Sequence, residues 1–175
     1  SLHDALPIFI VFLRFQNLEM LVDPLTGLGN RRRMQLYIDK LSRKRKGEFS
    51  AIVFDIDDFK DINDLYGHIY GDRVLIVISK ILEKSAGNKK ITCIRYGGDE
   101  FIVITPKEEV NEFIAKFKKL LSEFNDHKEF PSKIDVSIGV SEFTVNSEIN
   151  MEYIINTADK LMYEKKKLKK RNSNK

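Results

Sequence analysis

Short apolar runs separated by charged stretches set the pattern of this chain. Between residues 49 and 56, Ala51, Val53 and Asp55 fall on one face of a strand, and Ile52, Phe54 and Ile56 on the other. Both faces stay apolar until the strand ends, the mark of an interior strand covered on both sides. Two more β-prone runs, 91–94 and 101–104, flank Arg95, Tyr96, Gly97, Gly98, Asp99 and Glu100. They predict a hairpin over 91–105, with the glycines supplying positive φ at its tip. A turn-rich loop at 23–29 leads to Asn30 as a cap, then to a helix over 31–46 carrying Met34, Leu36, Tyr37, Ile38 and Leu41. A short helix begins near 58 and pauses at Tyr66 and Gly67. A longer one follows at 71–84, with Val74, Leu75, Ile78, Ile81 and Leu82 as its buried stripe. Residues 107–125 form an amphipathic helix, 133–143 alternate as a strand, and 151–167 close the chain as a helix. This order predicts an α/β (α+β) domain with a mixed central sheet flanked by helices.

A length of 175 residues suits one domain with a substantial core. The net charge of +4 is too mild to argue for nucleic acid, although it gathers in basic runs at 43–46 and 165–171. The first run is expected to be a solvated helix face. Nucleic-acid binding through the second is the weakest of three functional readings. Cys93, the only cysteine, excludes an internal disulfide and reads as a small core residue. The apolar run at 8–13 is too short to span a membrane. Residues 1–22 are read as a linker: 1–7 carry no pattern and are expected to be partly non-native. Residues 9–22, with Phe12, Phe15, Leu18 and Val22 on one face, predict an amphipathic helix connecting to an upstream domain.

The chemistry lies in two acidic clusters. A hairpin tip has no need of two adjacent carboxylates, so Asp99 and Glu100 call for a positive partner, and a divalent cation is the obvious candidate. The second cluster, Asp55, Asp57 and Asp58, sits where the covered strand emerges, a place where ligand sites form in α/β sheets. If this strand pairs with the hairpin, Asp55 approaches Asp99 and Glu100, and three carboxylates at one edge suit magnesium and phosphoryl chemistry. Asp57 and Asp58 also fit a helix N-cap and first turn, the preferred reading for Asp57.

Asp55-Ile56-Asp57-Asp58-Phe59-Lys60-Asp61-Ile62-Asn63-Asp64, Gly67-His68, Gly71-Asp72 and Arg95-Tyr96-Gly97-Gly98-Asp99-Glu100-Phe101 together resemble the GGDEF domain of diguanylate cyclases. Asp23-Pro24-Leu25-Thr26-Gly27-Leu28-Gly29-Asn30-Arg31-Arg32, Ser137-Ile138-Gly139-Val140, Ala158-Asp159 and Leu161-Met162-Tyr163 extend the likeness from 23 to about 172, leaving 173–175 as a tail. The resemblance implies the fold of nucleotide cyclase and polymerase palm domains. It implies condensation of two GTP into cyclic di-GMP with release of two pyrophosphates, in a homodimer holding one GTP per domain. It implies two Mg²⁺ (or Mn²⁺) per active site, with Asp55, Asp99 and the Ile56 carbonyl as ligands. Glu100 either binds metal or helps deprotonate the attacking hydroxyl.

For substrate, the resemblance implies phosphate contacts at Gly97, Gly98, Asp58, Phe59, Lys60 and Lys166. Lys170 falls where the family has arginine, unless a one-residue shift puts Arg171 there. Asn63 and Asp72 are implied to read guanine; by themselves they would pass for a turn residue and a helix cap. His68 is assigned to packing or the turn. The family's Arg-x-x-Asp product-inhibition site is replaced by Asn88-Lys89-Lys90-Ile91, so no product-inhibition site is expected. The resemblance implies a cytoplasmic domain, with an upstream sensory or receiver domain and room for an upstream membrane anchor. The alternative is a noncatalytic GTP-binding or protein-interaction module that keeps the fold.

Overall fold

A computed structural model describes residues 7, 21–43, 47–145 and 149–173, with side chains described at 166 and 167 but not at 165 or 168–173. Most of the expected linker helix and of the first basic run lies outside these residues. Val22 is not helical; it forms an isolated bridge with Gly29.

In chain order the elements are α1 (Arg31–Ser42), β1 (Glu48–Ile56), α2 (Phe59–Tyr66), α3 (His68–Ala86), β2 (Thr92–Arg95), β3 (Glu100–Pro106), a 3₁₀ turn (Lys107–Glu109), α4 (Val110–Asp126), β4 (Val136–Thr144) and α5 (Met151–Ser173). The strands form one sheet in the order β2-β3-β1-β4. Their pairings are antiparallel; Gly29 adds a parallel bridge to Ile94. The central strand is the one whose two faces are both apolar, as the alternation requires.

Each face of β1 feeds its own core. Ile52, Phe54 and Ile56 pack with Val74, Leu75, Ile78 and Leu82 of α3 and with Phe113 and Phe117 of α4. Phe54 meets Phe117 with ring centroids 4.8 Å apart. Ala51 and Val53 pack instead with Met34, Ile38 and Leu41 of α1 and with Ile154, Ile155, Ala158 and Met162 of α5. The sheet is thus the middle of three layers.

Several boundaries differ from the expected ones for local reasons. Asn30 caps α1 as anticipated, its side chain accepting from the Arg33 N–H. The α3 helix starts at His68 rather than 71, because Gly67, at φ 85° and ψ 161°, ends α2 and opens α3 at one residue. His68 is exposed at that joint. At the start of α2 the capping position belongs to Asp58, not Asp57. Asp58 sits in the left-handed region (φ 54°) and its side chain makes no capping hydrogen bond. Asp57 is committed elsewhere, as described below.

Gly139 sets how closely α5 approaches the sheet. A methyl group there would lie 2.1 Å from the Ala158 carbonyl oxygen and 2.8 Å from Met162 Cβ. That obstacle is helix backbone, which cannot swing aside. Gly139→Ala is therefore expected to cost about 1–3 kcal/mol, the usual range for overpacking. Urea denaturation should show a lower midpoint at unchanged slope.

Candidate active site at the end of the central strand

The β1–β3 register places Asp55 directly opposite Glu100. The Ile56 N–H donates to the Asp99 carbonyl at 3.4 Å, so both acidic clusters occupy one end of the sheet. The intervening turn closes through the Tyr96 and Gly97 N–H groups, which donate to the Glu100 carbonyl at 2.9 and 3.3 Å. Two guanidinium groups hold it from outside. Arg95 donates to the Gly98 carbonyl at 3.2 and 2.8 Å and pairs with Asp23 at 3.1 Å. Burial would raise the Asp23 carboxyl, but bonds from Thr26 and Arg95 outweigh it and hold the group below its usual range. Arg31 donates to the Tyr96 carbonyl at 2.7 Å and lies over its ring, 3.9 Å from the centroid.

The turn does not need its glycines for the expected reason. Positive φ occurs at Gly27, Gly47, Gly67 and Gly87, and at neither Gly97 nor Gly98. What matters here is space. A Cβ on Gly97 would stand 3.0 Å from Glu100 Oε2, and one on Gly98 would project into the open, with nothing within 4 Å. The absence of a side chain leaves the Gly98 backbone accessible.

Lys166 reaches this end of the sheet from α5. Its ammonium donates to Asp55 Oδ1 and stands 3.2 Å from Asp57 Oδ1. Burial alone would lower the Lys166 pKa; the bond to Asp55 reverses that and raises it. Asp57 also accepts from the Ser137 hydroxyl at 2.7 Å, and its N–H donates to the Asp135 carbonyl at 2.9 Å. Asp57 thus ties β1 to β4 and to α5, replacing the capping role expected for it.

The remaining carboxylates are less well compensated. Burial raises the Asp99 carboxyl, and the charge of Asp55 adds to the effect. Burial raises Glu100 as well, followed by repulsion from Asp159, Asp55 and Asp99. Asp159, on α5, is raised by burial and by Asp55, and its buried Oδ1 has no hydrogen-bond partner among the described residues. Asp159 belongs to the Ala158-Asp159 step of the family likeness, from which no role for it follows. Its separation from Lys166, two helical turns, is the signal that both face the same way.

The donor chemistry fits a hard divalent cation: carboxylate oxygens in excess of positive charge, one of them orphaned. Among the described residues no three His, Cys, Asp or Glu side chains converge as a ready-made cage. The three carboxylates expected to gather at this edge are neighbours by strand register and are not assembled as a ligand set.

The other expected site residues lie on α2 and α3. Asp58, Phe59 and Lys60 form the start of α2, with Asp58 and Lys60 exposed. Asn63 is half-buried one turn further on, its side chain against Gly71 of α3. Asp72 follows, exposed and within the helix rather than capping it. The side chain of Lys170 lies outside the described residues. Lys89, in the window that replaces the product site, is paired with Glu109 and with Glu112, the latter at 2.7 Å.

A family comparison matches residues 20–173 to "Diguanylate cyclase, GGDEF domain". The chain belongs to the GGDEF family. Diguanylate cyclase A of Treponema denticola is 37% identical over 137 residues, 75% of this chain and 36% of that protein. An uncharacterized membrane protein of Staphylococcus aureus is 30% identical over 168 residues, 91% of this chain and 47% of that protein. The GGDEF domain described here therefore spans between a third and a half of these relatives. Among solved structures, the coiled coil and GGDEF domain of DgcB from Caulobacter crescentus, in complex with c-di-GMP, superposes with a TM-score of 0.81. That match covers 94% of this chain and 90% of that one at 23% identity, a likeness of fold. Among the described residues of this GGDEF domain, no helix is long and apolar enough to cross a membrane.

The raised carboxyls give a pH signature. Asp99, Glu100 and Asp159 hold protons in the folded chain at a pH where the unfolded chain, near 3.8 to 4.5, has released them. Their contribution to stability is therefore greatest in acid and is lost as pH rises through the folded values. Asp99→Asn removes one of these charges. Without metal, its melting temperature should exceed that of the wild type near neutral pH, and the gap should close toward about pH 4. Thermal melts across that interval, in chelator, measure it.

Proposed function

We propose that this domain joins two GTP molecules into cyclic di-GMP, releasing two pyrophosphates, with each of two copies presenting one GTP across a two-fold axis. The observation that carries this reading is the register pairing of Asp55 with Glu100, beside Asp99 and an unobstructed glycine turn. Asp55, the Ile56 carbonyl, Asp99 and Glu100 would hold Mg²⁺ or Mn²⁺, two per site. When bound, these ions neutralise the triphosphate and acidify the attacking 3′-hydroxyl.

The chain's own groups do the rest. The Gly97-Gly98 backbone lets a phosphate approach where a side chain would block it. The first N–H groups of α2, at Asp58, Phe59 and Lys60, face the phosphate tail, with the Lys60 ammonium beside them. Asn63 and Asp72 pair with the guanine edge: Asp72 accepts from the ring N–H and the amino group, and Asn63 supplies both a donor and an acceptor. Lys166, once released from Asp55, contacts phosphate, as does Lys170. Glu100, as the alternative to a place in that ligand set, would receive the hydroxyl proton.

The domain works in the cytoplasm, where GTP is supplied, under an upstream sensory or receiver domain that sets how often two copies meet. A single copy holds one nucleotide, so turnover requires assembly. Incubation with GTP and Mg²⁺ should yield cyclic di-GMP at a rate that rises faster than linearly with protein concentration. Glu100→Gln should lower that rate about a hundredfold or more while circular dichroism stays unchanged. GTP binding without product at any concentration would instead mark a noncatalytic module.

A further inference from the structure

Gly71 is buried at the crossing of α2 and α3, and its contacts are unusually specific. A Cβ built there would lie 2.0 Å from Asn63 Oδ1, 3.0 Å from Asn63 Cγ and 3.2 Å from Phe59 Cζ. Both neighbours belong to α2, four residues apart and on one face. The crossing follows from Gly67. Its N–H donates to the Asn63 carbonyl at 2.8 Å, and its own carbonyl accepts from the Gly71 N–H at 3.2 Å. One residue thus ends α2, starts α3 and folds the second helix back over the first. Gly71 comes to rest on the Asn63 side chain, and Asp72 comes next to it in sequence.

Helix chemistry alone argues against glycine here. It lies inside a helix at a φ that any residue adopts, and alanine would strengthen the helix. What glycine supplies is the volume occupied by the Asn63 amide. A methyl group could be accommodated cheaply, by rotating that amide away, because the obstacle is the tip of a side chain rather than backbone. The cost would then fall on whatever the amide does.

We propose that Gly71 is a positioning residue for base selection: its missing side chain holds the Asn63 amide in the orientation that, together with Asp72, discriminates guanine from adenine. The proposal rests on the reading that Asn63 and Asp72 recognise guanine. Gly71 touches no ligand and acts only through Asn63. It therefore predicts a variant that folds as well as the wild type yet loses selectivity.

The test is calorimetric binding of non-hydrolysable GTP and ATP analogues, with Mg²⁺, to the wild type, Gly71→Ala, Asn63→Ala and the double variant. Thermal midpoints are taken alongside. Gly71→Ala is expected to keep or raise the midpoint and to lose about tenfold of the preference for the guanine analogue, the value of one hydrogen bond. Asn63→Ala is expected to lose as much, and the double variant no more than either single one. A Gly71→Ala protein with wild-type preference overturns the proposal, as do losses that simply add in the double variant. Should Gly71→Ala unfold the chain, the double variant, where the methyl group has room, must restore the midpoint; failure to do so overturns the contact itself. A wild type that binds both analogues equally removes the guanine reading and this proposal with it. A wild type that discriminates beside an equally selective Gly71→Ala removes the proposal alone.

Discussion

The antiparallel pairing of β1 with β3 sets two carboxylates against each other at the end of a buried sheet, and the rest of the molecule is arranged around that repulsion. Like charges placed directly across a ladder disfavour the pairing. The register is nevertheless fixed, because Val53, Phe54, Phe101 and Ile102 are all fully or almost fully buried. A slip of one residue would send each of these side chains into the opposite core, against partners of the wrong shape. Packing therefore forces Asp55 and Glu100 to remain neighbours, and the electrostatic penalty is offset locally.

The offset comes from far along the chain. Lys166 is 111 residues from Asp55, and Arg95 is 72 from Asp23. These cations do different jobs. Arg95 and Arg31 hold the turn in shape from its outer side, whereas Lys166 enters the acidic cluster itself. An ammonium in that position gives the carboxylates one counter-charge without completing their coordination. Asp99, Glu100 and Asp159 remain under-compensated, and this shows in their reluctance to ionise.

Most of the architecture was legible in the sequence because it follows from periodicity. The two faces of β1, the stripe on α3 and the Asn30 cap all declare themselves through side chains a few residues apart. The meeting of Asp55 with Asp99 and Glu100 was legible once the strand and hairpin were assumed to pair. Other features were hidden because they depend on encounters between distant segments. Nothing near Asp57 signals that Ser137 and Lys166 will engage it. Nothing near Gly97 signals that a side chain there would crowd the Glu100 carboxylate rather than strain a backbone angle. Gly71 is the instructive case, since inside a helix its sequence context argues for alanine, and only the folded-back position of Asn63 explains its presence.

The notch at Gly139 has a further meaning for helix α5. The backbone of Ala158 sits in that notch, so the helix is indexed to the sheet like a key cut to one depth. Successive helical residues are turned by about 100° from one another. A shift of a single position would swing Lys166 and Asp159 together out of the acidic cluster. One absent methyl group, on the same face of β4 as Ser137, thereby calibrates where a charge eight residues beyond Ala158 is delivered.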